Sequence, residues 1–200
     1  MAARYQPGTF QVAAMPDNTI SGFNDLVNLA DWDEPLFIVG TLPKNLKGWQ
    51  VLRSATAPQM ICEELKPAAK VETIKLSERD VPEMLELVAL AQPGPFLPRT
   101  IEMGDYYGVR QDGKLVAMAG ERLHLTGFCE ISAVCTHPDY RGRGYAGALT
   151  NRVAQGIFDR GELPFLHLAP DNHAAMRLYQ KLGFRLRKEI ELFGIQRVDV

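Results

Sequence analysis

The sequence predicts a mixed α/β layer built on one sheet, and three observations carry that expectation. Ile131-Ser132-Ala133-Val134-Cys135-Thr136 is an apolar run of β-formers stopped by Pro138. Arg141-Gly142-Arg143-Gly144 follows, then a helical apolar pattern at Ala146, Leu149, Val153 and Ile157, so strand, glycine loop and helix succeed one another. Asp112-Gly113 separates two β-patterned runs, which is a strong hairpin signal. From residue 71 onward the patterns then read strand, helix, three strands, helix, strand, helix, strand.

The 200 residues, 46% of them hydrophobic, allow one domain with a sizeable annex and enough apolar surface for a core. Residues 1–69 form the annex. Met1 to Thr19, rich in Gly, Pro, Asn and Asp, reads as a loose arm. Leu26, Val27, Leu29 and Ala30 suit a short helix turn. Leu36-Phe37-Ile38-Val39 is a strand closed by Gly40, and Trp49-Gln50-Val51-Leu52 suits a second. Ala57 to Leu65 fits a strand or a helix, and Lys66-Pro67-Ala68-Ala69 reads as a linker. A structural annex is preferred to a substrate-binding lobe, because no site motif falls in it.

The domain proper spans 70–200. Val71 to Leu76 alternates cleanly, as a half-buried strand does, and Ser77 is the candidate cap for the helical spacing of Val81 to Leu90. Gln92 to Arg99 holds three prolines and must be a loop; Phe96 and Leu97 are pocket walls or core caps. Tyr106 to Arg110 and Lys114 to Ala119 make the hairpin, and Gly127 to Thr136 the next strand. A helix from about Gly142 to Arg160 is ended by Gly161, and Leu163 to Ala169 returns as a strand. Asp171 or Asn172 caps a last helix with apolar Ala175, Leu178, Tyr179 and Leu182, and Phe184 to Phe193 is the last strand.

Charge and cysteines narrow the function classes. A net charge of −2 gives no reason to expect a nucleic-acid or membrane partner. Cys62, Cys129 and Cys135 form no Cys-x-x-Cys pair and sit in apolar patterns, as reduced core thiols do in a cytoplasmic setting. The N-terminus carries no long apolar run, so neither a signal peptide nor a membrane span is expected. His124, His137, His167 and His173 have no metal-ligand spacing; structural roles are expected for all four, and no metal site. A monomer or homodimer is expected.

The glycine loop is the chemical centre. Gly142 and Gly144 let a ligand approach the backbone closely, and the first N–H groups of the following helix lack partners and lie at the positive end of its dipole. Arg141 and Arg143 add charge, so a diphosphate is the ligand expected. The P-loop pattern fails for want of its lysine. Gly142, Gly144 and Gly147 match the dinucleotide spacing, but the next strand ends in Ala169-Pro170 where that motif wants an acidic residue.

Arg141-x-x-Gly144-x-Ala146 resembles the pyrophosphate motif of the GCN5-related N-acetyltransferases (GNAT). Asn172-x-x-Ala175-x-x-Leu178-Tyr179-x-x-Leu182-Gly183-Phe184 matches a second family signature at every position. The segment Thr136-His137-Pro138-x-Tyr140-Arg141-Gly142-x-Gly144-Tyr145-Ala146 looks most like the FR47-like subgroup.

The resemblance implies a GNAT fold: a mixed, mostly antiparallel sheet with helices on both faces and a splayed strand pair that binds acyl-CoA. It implies an N-acetyltransferase moving the acetyl group of acetyl-CoA to a primary amine. Val134, Cys135 and Thr136 would meet the acetyl carbonyl and pantetheine arm. Arg141, Gly142, Arg143, Gly144, Tyr145 and Ala146 would hold the pyrophosphate, and Asn172 and Ala175 the pantetheine end. Tyr179 would protonate the departing thiolate. As base for the acceptor ammonium, Glu130 is the first choice and Glu121 the second: a carboxylate inside a sheet is costly unless paired or used. The family usually ends in a strand pair. Here about seventeen residues follow Gly183 with no tight-turn signal except Gly194, so an N-terminal strand such as Leu36 to Val39 is expected to complete the sheet.

Overall fold

A computed structural model describes residues 1–16, 19–32 and 34–199. The strands are β1 (Ala3–Arg4), β2 (Ala13–Ala14), β3 (Leu36–Val39), β4 (Trp49–Cys62), β5 (Ile74–Lys75), β6 (Tyr106–Gln111), β7 (Lys114–Leu125), β8 (Phe128–Thr136), β9 (Leu163–His167) and β10 (Phe184–Arg197). The helices are α1 (Ile20–Val27), α2 (Val81–Ala91), α3 (Tyr145–Asp159) and α4 (His173–Lys181).

β3 to β10 form one eight-stranded sheet, ordered β3-β10-β4-β9-β8-β7-β6-β5. Among the described residues, β8 and β9 are the one parallel strand pair within it and the other neighbour pairs are antiparallel; a parallel bridge, Val12 to Phe37, adds the N-terminal arm to β3. The crossover between those two parallel strands is α3, so the glycine loop must lie at the C-terminal end of β8.

Helices cover both faces. α2 packs on Leu76, Tyr106, Leu115, Met118, Ala133 and Cys135. The apolar stripe of α3 (Leu149, Val153, Ile157) is fully buried and, with Tyr179 and Leu182, packs on Val109, Val116, Ala119, Cys129 and Ile131. Each aliphatic side chain so buried stabilises the fold by about 1.5–3 kcal/mol. α1, capped by Thr19, packs in a separate cluster with Leu36, Ile38, Trp49 and Ile195.

Several expectations change. The arm is not loose: β1 pairs with β2, Thr100 donates through Oγ1 to the Thr9 carbonyl, and Phe10 is buried beneath the Arg122 guanidinium at 4.1 Å. Asp17 and Asn18, within that arm, lie outside the described residues. Ala57 to Cys62 is strand, continuous with Trp49, even through Pro58, whose carbonyl still accepts from the Leu168 N–H. Of the alternating 71–76 run, Ile74 and Lys75 pair with β6 and the Leu76 N–H donates to the Tyr106 carbonyl. α3 starts at Tyr145 rather than Gly142, because Gly142 and Gly144 take φ of +78° and +82°.

β10 runs unbroken to Arg197, between β3 and β4. β3 pairs with it, and the longer partner is β4, inserted between β9 and β10.

Candidate active site at a splayed strand pair

β8 and β9 pair only from Phe128↔Leu163 to Glu130↔Phe165 and then part. A bulge lies just beyond. Two steps along β7, Met118 to Gly120, match three along β8, Cys135 back to Ser132, and Ala133 within the bulge has φ +52°. A bulge bends its strand and turns the residues beyond it. A non-glycine residue at positive φ costs on the order of 1 kcal/mol, a cost that structures retain most often at functional sites. Val134, Cys135 and Thr136 follow it and line the β8 side of the opening. Thr136 Oγ1 is enclosed and has no hydrogen-bond partner among the described residues. Burial pushes the Cys135 thiol up to about 12, so it stays protonated.

At the end of β8 the chain makes a short turn, Pro138–Tyr140, and enters the exposed loop 141–144. The first helical bond of α3 runs from the Ala148 N–H to the Gly144 carbonyl. Among the described residues, no protein oxygen accepts from the six N–H groups of Gly142 to Gly147. Consecutive free amides at a helix N-terminus suit a diphosphate. A Cβ on Gly144 would meet only Ala69, at 3.6 Å, so φ rather than space calls for glycine there. Arg143 lies over the Tyr140 ring at 4.8 Å, which holds its charge beside the loop.

The second motif forms α4. Asn172 Oδ1 accepts from the Ala175 N–H and caps the helix, which fixes where Ala175 and Tyr179 point. Tyr179 is 7% exposed, with its ring 5.9 Å from that of Phe184. Burial, and then the nearby Cys135, raise its phenol well above the ordinary value, so it is held protonated. Gly183 ends the motif at φ +99°, and a Cβ there would collide with the Glu64 carbonyl oxygen.

Glu130 is 1% exposed and fully engaged. Arg122 donates to it twice, Nε to Oε2 at 2.9 Å and Nη2 to Oε1 at 3.0 Å. His167 Nδ1 lies 2.7 Å from Oε1. Burial would raise its pKa, but Arg122 and then His167 outweigh that and pull it down to about 2. A carboxylate so held is a weak direct proton acceptor. Behind His167, Gln59 Nε2 is 2.9 Å from its Nε2, and Arg187 donates to Gln59 Oε1 at 2.6 Å. Tyr5 of the N-terminal arm stands close enough for the Glu130 charge to act on it.

Glu121 lies elsewhere, against Arg160 at 3.0 Å, with His124 Nε2 at 3.8 Å and the Cys129 sulfur nearby. These three donor atoms lie within 4.8 Å of one another. Burial pushes the Cys129 thiol up to about 12, Arg160 already offsets the Glu121 charge, and His124 Nε2 is 2.8 Å from the Met103 carbonyl oxygen. A cavity of about 430 Å³ beside Ser77, Ile101 and Tyr106 takes no residue from the splay.

The FR47-like protein family model matches residues 106–192. A solved structure from Novosphingobium aromaticivorans, a putative acetyltransferase from the GNAT family, superposes with a TM-score of 0.87 at 36% identity. That superposition covers 99% of this chain and 89% of the other. The chain belongs to the GNAT family. Shorter matches agree: an acetyltransferase of Sodalis glossinidius is 37% identical over 65 residues, 32% of this chain and 45% of that protein. The N-alpha-acetyltransferase RimI of Mycobacterium tuberculosis is 36% identical over 83 residues, 40% of this chain and 51% of that protein. The chain thus spans about half or less of the curated relatives it matches.

Within this GNAT fold, Glu130 is in the last β8–β9 pair, Val134, Cys135 and Thr136 follow it on β8, the 141–146 loop leads into α3, and Asn172 caps α4, which follows β9 and carries Ala175 and Tyr179. Glu121 lies apart, against Arg160. Sequence reasoning missed Arg122, His167 and Gln59. They meet because β4, β9, β8 and β7 are neighbours, and no spacing within the chain records that order.

Proposed function

We propose that the protein is an N-acetyltransferase that moves an acetyl group from acetyl-CoA to a primary amine by direct attack in a ternary complex. The observation that supports this best is the parting of β8 from β9 directly beside the free amides of Gly142 to Gly147. A diphosphate held there directs the attached chain into the opening. The residues fit the cofactor: the amides and Thr136 Oγ1 lack protein partners among the described residues, and glycines 142 and 144 clear the approach.

Acetyl-CoA, when bound, supplies the acyl group as a thioester. Val134 and Thr136 offer backbone groups along its arm, and Arg141 and Arg143 neutralise diphosphate charge. Tyr179 holds a proton at Oη on the buried side of the opening, ready for a sulfur that leaves as thiolate. On this reading the network of Glu130, Arg122 and His167 lies on the acceptor side. The acceptor is a small-molecule amine, a protein N-terminus or a lysine; an N-terminal amine is the acceptor that the name of the RimI relative gives for that protein.

Titration calorimetry with acetyl-CoA tests the binding step, with micromolar affinity expected. An amine panel monitored by free-thiol release, run with acetyl-CoA and propionyl-CoA in parallel, tests transfer. Faster turnover with propionyl-CoA would replace acetyl with a longer acyl group. Binding with no turnover on any amine would leave a CoA-binding module.

A further inference from the structure

The hydrogen-bond chain behind the opening has one consistent assignment of protons. Arg187 has only donors, so the Gln59 oxygen must face it, as it does at 2.6 Å. Gln59 therefore turns its NH2 toward His167, and at 2.9 Å the imidazole Nε2 must accept. Nδ1 must then carry the proton and donate it to Glu130 Oε1 at 2.7 Å. The imidazole thus turns its Nε2 lone pair toward an N–H group. The other side of the ring is held by a carboxylate that cannot take the proton away, since Arg122 fixes both its oxygens. The Glu130 carboxylate is suited to stabilise the imidazolium that would form. This is the arrangement of a base and its orienting acid.

Position supports the role. Glu130 is the last β8 residue paired with β9, and His167 lies two residues beyond its partner Phe165, in the parted segment. Its side chain is 18% exposed.

We infer that His167 is the general base of this enzyme, accepting a proton at Nε2 from the acceptor's ammonium group. Glu130 is its positioning residue, and Gln59 Nε2 occupies the place the acceptor nitrogen takes. The inference rests on the acetyl-transfer reading above. One proton moves from the ammonium to Nε2, and the freed lone pair forms the N–C bond to the acyl carbon as the C–S bond breaks. The sulfur takes the proton of Tyr179 Oη. A second proton from the new amide nitrogen restores the phenol through solvent, and the imidazolium releases its own to water. The N-terminal segment thus contributes, through Gln59 on β4, to the acceptor side of the site.

The test is His167→Gln, compared with the parent for kcat, KM of the amine, acetyl-CoA affinity and pH profile. The polar groups on the ring are Glu130 from β8 and Gln59 from β4; Arg122 from β7 and Tyr5 from the arm act on Glu130, and Arg187 from β10 holds Gln59. Expected are a fall in kcat of about 100-fold or more, unchanged calorimetric affinity for acetyl-CoA, and loss of the acid-side dependence of rate. A fall under about threefold with the pH profile intact would overturn the assignment.

Should His167→Gln not fold, Gln59→Glu decides. A carboxylate there pairs with Arg187 and accepts from Nε2–H, so the pH of half-maximal rate should rise; an unmoved profile overturns the inference. Failure of the parent protein to bind acetyl-CoA is a different result, and it strikes the underlying reading.

Discussion

Replacing Glu130 by Gln removes one charge from the most enclosed ionic site in the molecule and keeps the side chain's shape. The folded protein holds this carboxyl at about 2, against an ordinary value of 4.5. At roughly 1.4 kcal/mol per pH unit, that difference stabilises the fold by about 3 kcal/mol at neutral pH. The folded value is the lower one, so the contribution is complete above about pH 4.5 and drains away as pH falls toward 2. Evaluated at pH 3.5, linkage leaves about 2 kcal/mol. Glu130→Gln should therefore be less stable than the parent by about 3 kcal/mol at pH 7, in line with the cost of orphaning one partner of a buried pair. The gap should narrow by about a third at pH 3.5. Other depressed carboxyls, Glu83 against Arg110 among them, act equally in both proteins and cancel. Urea unfolding at several pH values reads the difference directly. In melting temperature it is about 6–12 °C at pH 7 for a chain of this size. A gap that stays constant between pH 7 and 3.5, or is absent, would show that the carboxylate is not held by Arg122 and His167 as described.

Three further substitutions separate binding, chemistry and folding. Gly183→Ala forces a Cβ against the Glu64 carbonyl at φ +99°; the melting temperature should fall by at least about 4 °C, read by calorimetry. Gly144→Ala meets only Ala69, so the fold should survive with about 1–2 kcal/mol of strain, while acetyl-CoA affinity drops about tenfold by titration. Tyr179→Phe removes a hydroxyl that bonds no protein group among the described residues. The melting temperature should stay within about 2 °C while kcat falls about 100-fold at constant acetyl-CoA affinity.

What could be read from the chain and what could not divide along a physical line. The loop at 141–146 and the motif from Asn172 to Phe184 are local: glycines at positive φ, a helix cap and a stripe at helical spacing lie within a dozen residues. The hairpin at Asp112-Gly113 is equally local, with both residues at positive φ as its turn requires. The bulge at Ala133 left no trace, since alanine carries no preference for φ +52° and the strain is imposed by neighbouring strands. Glu130 was singled out by the cost of a carboxylate in a sheet, but its partners come from three other strands, 8 to 37 residues away for Arg122 and His167 and 71 for Gln59 through His167. The arm looked loose because its few apolar residues show no period; Phe10 is buried by a cation and a ring, Arg122 and Tyr5, not by a stripe of its own.

The same logic bears on whether residues 70–200 make a unit alone. β10 has two neighbours, β3 and β4, and both belong to residues 1–69. β4 is also the sole sheet neighbour of β9 on the side away from β8. Removing residues 1–69 would strip both edges of a fourteen-residue strand and one edge of the strand carrying His167. It would also uncover Met60 and Cys62, which are fully buried against the α3–α4 layer. Exposed strand edges of that length pair with other chains rather than stay solvated. The fragment 70–200 is accordingly expected to aggregate or to lack a cooperative melt, although the FR47-like match, residues 106–192, lies wholly inside it. Circular dichroism and calorimetry of that fragment decide the point. A monomeric fragment with a sharp transition and parent-like acetyl-CoA affinity would show that β4 is an ornament on a self-sufficient sheet, and would remove the ground for giving Gln59 a place in the site.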